Sequence, residues 1–320
     1  MSYVGPDFDP PQPRRSALRR PATVAVAAVV VGAVAGWGVW QAVGDSGGGG
    51  GADRAAGQTP RSATNAPATS GGSPSGEPTA SDDGKKASPS PSPSADGPLK
   101  GKVVVVDPGH NPGNFQHTTE INRKVNIGTG MKECDTTGTT TNDGYLEAEF
   151  TLDVSRRLRT LLEQQGATVE FTQDGDRPWG PCIDERARIG NEAEADAVVS
   201  IHADGSGTGN RGFHVILPGS VDEGAADTRP IVGPSRALGE RIAGKFVRAT
   251  GTAPSNYVGD GTGLVTRQDL GGLNLSTVPK VFIECGNMRD SNDAALLTSG
   301  AWRQKAAQGI SEGIVSFLRG

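Results

Sequence analysis

The chain has 320 residues, a formal net charge of −5, and 34% hydrophobic and 21% charged side chains. That modest acidic balance argues against a nucleic-acid binder, which needs a concentrated positive field. Composition then divides the chain into four stretches. Residues 1–20 are basic, with Arg14, Arg15, Arg19 and Arg20. Residues 21–44 carry no charged side chain. A helix of that length, at ~1.5 Å per residue, matches the roughly 30 Å hydrocarbon core of a bilayer. The arginines ahead of it hold the N-terminus in the cytoplasm and send the rest of the chain out. Trp37 and Trp40 fall near the outer end, where indole rings favour the interface. The segment therefore reads as a single-pass anchor in the cell membrane. The alternative is a cleaved signal peptide ending near Ala42-Val43-Gly44, which would release a secreted domain; Arg14-Arg15 with Leu18 bears a faint twin-arginine pattern. Residues 45–98 contain no large apolar side chain, cannot bury enough surface to offset chain entropy, and are expected to form a disordered linker. Residues 99–320 are long enough for one α/β domain.

Within that domain, Lys102–Val106 is a β-branched run stopped by Pro108-Gly109 and predicts a buried strand. Residues 111–144 are rich in Asn, Gly and Thr and predict a long irregular loop, a feature that is often functional. From Glu147 to Gln165, Phe150, Val154, Leu158, Leu161 and Leu162 recur at helical spacing, and Gly166 ends the helix. A strand follows at 167–172, a helix at 184–193 and a strand at 197–201. Another strand is predicted at 212–217, a helix at 235–250, a strand at 280–283 and a closing helix at 301–318. Alternating strands and helices imply a mainly parallel central sheet with helices on both faces, a three-layer α/β fold. Of the three cysteines, Cys134 and Cys182 lie in loop-like sequence. A bridge between them would close a loop of about fifty residues and add roughly 4 kcal/mol. Cys285 sits in an apolar strand and reads as a buried free thiol.

The chemistry collects where strands end. His110 closes the run Val103-Val104-Val105-Val106-Asp107-Pro108-Gly109, and His202 closes Ala197-Val198-Val199-Ser200-Ile201. Glu284 ends Val281-Phe282-Ile283. Parallel strands bring such residues to one sheet edge, where ligands bind in open α/β sheets. Glu147 lies three before Phe150 and seven before Val154. It continues the buried stripe, while Glu149 points to solvent. Two imidazoles and one carboxylate can hold Zn²⁺ with one position open, and Glu284 is then free to move protons. His110, Glu147 and His202 are the expected metal ligands and Glu284 the expected catalytic residue. Gly109 allows close backbone approach, and Asp107 is a candidate supporting group. The bland readings are a helix-dipole acid for Glu147, an ion pair with Arg289 for Glu284 and a structural role for His214; His117, in the long loop, is a candidate substrate contact.

Together these segments resemble the zinc-dependent N-acetylmuramoyl-L-alanine amidases of the amidase-3 family, over residues 101–319. The family's first strand ends in D-P-G-H, matched by Asp107-Pro108-Gly109-His110. Its ligand glutamate opens the first helix, as Glu147 does in Glu147-Ala148-Glu149-Phe150. Its second histidine lies in S-I-H-A, here Ser200-Ile201-His202-Ala203. Its catalytic glutamate follows an apolar strand after a proline, matching Pro279-Lys280-Val281-Phe282-Ile283-Glu284. The chain departs from the pattern in having Asn111-Pro112, not glycines, after His110 and a long path from there to Glu147. Some relatives carry a helix that blocks the site. No such insertion is visible between Ser206 and Ser235, which implies an unblocked enzyme. The resemblance implies a peptidoglycan hydrolase that cuts between N-acetylmuramic acid and L-alanine, and the chain is expected to be a monomer. A flexible linker of this length averages roughly 40 Å end to end and would let an anchored domain search the wall. A zinc peptidase or deacetylase acting on another envelope substrate, and a wall-binding module without catalysis, are the competing readings.

Overall fold

The computed structural model describes residues 97–320. The basic segment, the anchor or signal segment and nearly all of the linker lie outside the described residues. Among the described residues, no helix is long and apolar enough to cross a membrane.

Strand β1 (Val103–Pro108) is buried on both sides. Val104 and Val106 enter the main core, while Val105 faces a smaller cluster with Ala195 and Val198. Two-sided burial is why its sequence is a continuous apolar run and not an alternation. The stretch after it is more ordered than an irregular loop. It forms the short helix α1 (Thr118–Ile121) and a hairpin of β2 (Lys124–Asn126) with β3 (Met131–Glu133). Strands of three residues carry too little periodicity to read from sequence. Helix α2 (Glu147–Gln164) follows the predicted stripe, with Phe150, Val154, Leu158 and Leu162 buried and Glu149 exposed.

The chain continues through β4 (Thr168–Phe171), α3 (Ile183–Glu192), β5 (Ala197–Asp204), β6 (His214–Pro218) and a two-residue hairpin of β7 (Asp222–Glu223) with β8 (Ala226–Asp227). Helix α4 (Arg229–Thr250) starts a turn and a half before the predicted Ser235. Pro230 sits in its first turn, where a missing N–H costs nothing, and the helix runs on through Pro234. Strand β9 (Leu264–Arg267), the short α5 (Gly271–Asn274), β10 (Lys280–Asn287), α6 (Ser291–Leu297) and α7 (Gly300–Leu318) complete the domain.

Six strands form one sheet in the order β4-β1-β5-β10-β6-β9. All neighbours are parallel except β10 and β6. The link from β5 to β6 contains no crossover helix, so the chain turns back and β6 runs the opposite way. One face of the sheet is covered by α2, α4 and α7, whose apolar side chains make the main core. The other face is covered in part by α3 and α5. This asymmetry leaves Ser200, His202, Ile216, Phe282 and Glu284 lining an open cleft on the sheet.

Candidate active site

Three backbone features bring the site together. His110 lies two residues past the end of β1 with φ at 61°, in the left-handed region that a non-glycine residue seldom adopts. Gly109 beside it cannot bear a side chain, because a Cβ there would lie 2.3 Å from the His202 ring. Thr151 of α2 donates to the Gly109 carbonyl at 2.7 Å and ties this turn to the helix that Glu147 opens. His202 and Glu284 are not beyond the strand ends, as their sequences suggested. Strand β5 runs on to Asp204 and β10 to Asn287. The two residues face each other in register on adjacent strands, so both project from the cleft face. His214 is the register partner of Glu284 on its other side. It is buried, as a structural residue would be, and burial pushes its imidazole down to about 4.

Glu147 is the hub. Its Oε1 lies 3.0 Å from His202 Nδ1 and 3.3 Å from His110 Nε2. The same oxygen accepts from the Ala203 N–H at 3.2 Å, and Oε2 accepts from the Thr139 N–H at 2.8 Å. One ligand atom from each of His110, Glu147 and His202 falls within 4.8 Å of the others. The two rings meet edge-on at 5.0 Å, and Phe282 stacks on His202 at 5.2 Å. Burial pushes the Glu147 carboxyl up, but the two histidines hold it well below the usual carboxylate range. Burial pushes the His110 imidazole down, yet Glu147 and Asp135 raise it well above its ordinary value. Glu284 is raised well above the carboxylate range by burial and by the charges of Glu147 and Asp204. Its Oε2 is enclosed without a hydrogen-bond partner, and among the described residues it forms no ion pair with Arg289 or any other cation.

Residues 104–316 match the family model described as N-acetylmuramoyl-L-alanine amidase. The chain is 40% identical to N-acetylmuramoyl-L-alanine amidase Rv3717 of Mycobacterium tuberculosis, over 69% of this chain and 88% of that protein. Among solved structures, Ami1 of Mycobacterium smegmatis aligns with a TM-score of 0.63 at 39% identity, over 69% of this chain and 98% of that one. Ami1 of Mycobacterium abscessus aligns with the same TM-score of 0.63 at 41% identity, over 69% of this chain and all of that one. The chain belongs to the amidase-3 family.

A second group of residues in the amidase is invisible to motif reading. Asp135 places Oδ1 3.3 Å from His110 Nδ1, and the Thr136 carbonyl lies 3.1 Å from the same nitrogen. These contacts fix which His110 nitrogen faces Glu147. The Ser200 hydroxyl does the same for His202, at 3.2 Å from Nε2. Asp107 does not reach His110. It accepts from Thr172 and Arg186 at 2.7 Å each and pairs with Lys280 at 3.2 Å. Arg186 carries the link onward, donating to Asp135 at 3.0 Å and to the His110 carbonyl at 2.9 Å. Asp107 thus acts on the site through a neighbour. His117 pairs with Glu120 at 3.6 Å and is absent from the cleft lining.

Cys134 and Cys182 form a disulfide, and Cys285 is a buried free thiol, both as predicted. The bridge closes a separation of 48 residues and pins the residue before Asp135 to the start of α3. The double variant Cys134→Ser/Cys182→Ser is expected to lose about 4 kcal/mol of stability. Urea unfolding of the variant and the wild type checks this, and an unchanged midpoint would refute it.

Proposed function

We propose that this amidase is zinc-dependent, with His110, Glu147 and His202 holding the ion and Glu284 moving protons. The amidase hydrolyses the peptidoglycan amide between N-acetylmuramic acid and L-alanine. The observation that carries the zinc reading is the convergence of one ligand atom from each of His110, Glu147 and His202 within 4.8 Å, with the ring nitrogen that faces away from Glu147 already engaged in each histidine. A set of two imidazoles and one carboxylate, with Glu284 left over beside it, suits catalytic zinc. When bound, zinc would supply Lewis-acid polarisation of the carbonyl and acidify water. The protein's own groups supply the rest. Glu284, beside His202 in register, accepts the proton of the attacking water. It then returns that proton to the alanine nitrogen as the C–N bond breaks, because an amide anion leaves poorly. Phe282 and Gly109 hold the His202 ring from two sides.

Incubating the full chain with muropeptides tests this. Peptide with a free N-terminal alanine should appear, vanish with a chelator and return with zinc. Release of acetate would favour a deacetylase, and no release at all would favour a binding module. The disulfide fits an oxidising compartment outside the cytoplasm. The charge-free stretch 21–44 supports an anchor there. Carbonate washing of membranes distinguishes anchor from cleaved signal: an anchored chain stays in the pellet.

A further inference from the structure

The cleft that holds the candidate centre is acidic at its floor. Glu147, Asp204 and Glu284 all line it. With zinc offsetting Glu147, Asp204 and Glu284 remain, and a substrate carboxylate is held only where a cation of the rim meets it. Three lysine or arginine side chains line the cleft: Arg186, Lys132 and Arg267. Arg186 is buried and already committed to Asp107 and Asp135. The other two stand together on the rim. Arg267 ends β9 and donates through Nε and Nη2 to the two oxygens of Asp269, at 2.8 and 2.6 Å. Lys132 of β3 pairs with the same carboxylate at 3.2 Å. Two cations on one anion leave a surplus positive charge. Arg267 is 42% exposed, and its Nη1 makes none of these bonds.

The position suits the peptide side of the substrate. Arg267 lies on the cleft face of the sheet, because it is in register with Pro218, two residues beyond Ile216, and Ile216 pairs with Phe282. Its charge is close enough to act on both Glu284 and His214. The residue following alanine lies about 3.5 Å of chain beyond it, so a stem peptide running from Glu284 toward β9 would bring a carboxylate borne there to the rim.

We propose that Arg267 is a specificity-determining residue that receives a carboxylate on the stem-peptide residue following L-alanine. The proposal rests on the amidase reading above and adds the chemical class of stem. Arg267 suits this task because its planar fork pairs with carboxylate while its other edge stays on Asp269. Lys132 adds field but no fork.

The test uses two muramyl peptides with amidated C-termini, alike except that the residue after L-alanine carries either a free carboxylate or the corresponding carboxamide. The wild-type chain, loaded with zinc, should favour the acidic peptide in kcat/KM by about 10- to 100-fold, mainly through KM. In Arg267→Gln that ratio should fall to near one, and in Arg267→Lys it should be intermediate. The pH profile on each peptide reports whether Arg267 acts only through Glu284. An unchanged ratio in Arg267→Gln, or an equal loss on both peptides with a shifted profile, would overturn the proposal. So would a wild-type enzyme that cuts both peptides equally well. If Arg267→Gln fails to fold, Arg267→Lys decides: a ratio below wild type supports the proposal, and full wild-type discrimination overturns it. Cleavage of neither peptide by the wild type would instead overturn the amidase reading itself.

Discussion

Glu284→Gln is expected to lower kcat by about 100- to 10,000-fold while zinc content stays at the wild-type level. The argument starts from position. Glu284 projects into the cleft beside His202 and opposite His214, yet it is not among the three residues whose ligand atoms converge. Its Oε2 has no protein partner, so the carboxylate is not spent on holding the fold. A neutral amide of the same shape keeps the packing and removes the proton acceptor. The change should therefore appear in kcat and kcat/KM together, as loss of an interaction made in the transition state. Burial and the charges of Glu147 and Asp204 raise the Glu284 carboxyl, so the wild type should lose activity as pH falls through that raised value. The Gln variant should lack this acid limb. Steady-state kinetics on a muropeptide across pH, with metal analysis of the same samples, decides the matter. Near-wild-type turnover would remove Glu284 from the mechanism, and loss of zinc would make it a ligand.

The four principal positions were legible because each ends or opens a strongly apolar element. A histidine after Val103–Val106 or after Ala197–Ile201 breaks a buried run, and a strand keeps such residues on one side of a sheet. The helical stripe through Phe150 and Val154 assigned Glu147 its direction. The groups that orient them were not legible, since nothing local distinguishes them. Asp135 lies in a polar stretch and meets His110 because the disulfide and Arg186 hold that stretch against the sheet. Arg186 reads as one more charged residue on a short helix, yet it is buried. The direction of β6, a strand that the sequence does predict, and the edge strand β9 escape for another reason. Strand direction is set by connection length and pairing, and β9 has only four residues, two of them exposed. His202 and Glu284 read as strand ends because a polar residue closes each apolar run, whereas both strands continue beyond it to Asp204 and Asn287.

Arg186→Met is expected to destabilise the domain by about 3–5 kcal/mol, the cost of leaving buried charges without their partner. Arg186 is enclosed, and one guanidinium serves two buried carboxylates, Asp107 at 2.7 Å and Asp135 at 3.0 Å. It also donates to the carbonyls of Pro108, His110 and Pro181. A methionine fills similar volume but satisfies none of these acceptors. Lys280 still faces Asp107, whereas Asp135 keeps only His110 as a charged partner. For a domain of this size each kcal/mol shifts the thermal midpoint by roughly 2–4 °C, so a fall of about 10 °C is expected. Lysine at this position should recover only part of the loss, because it cannot span both carboxylates with a planar fork. The pH dependence follows from the same pair. Burial pushes the Asp135 carboxyl up, but Arg186 and His110 pull it below its ordinary 3.8 to about 2. A carboxyl with a depressed folded pKa contributes stability above about pH 4, and this contribution is lost as pH falls toward 2. Without Arg186 that depression shrinks, so acid unfolding should begin at a higher pH in the Met variant. Differential scanning calorimetry from pH 7 down to pH 3 measures both effects. A midpoint within a degree or two of wild type at neutral pH would show that the buried carboxylates do not depend on Arg186.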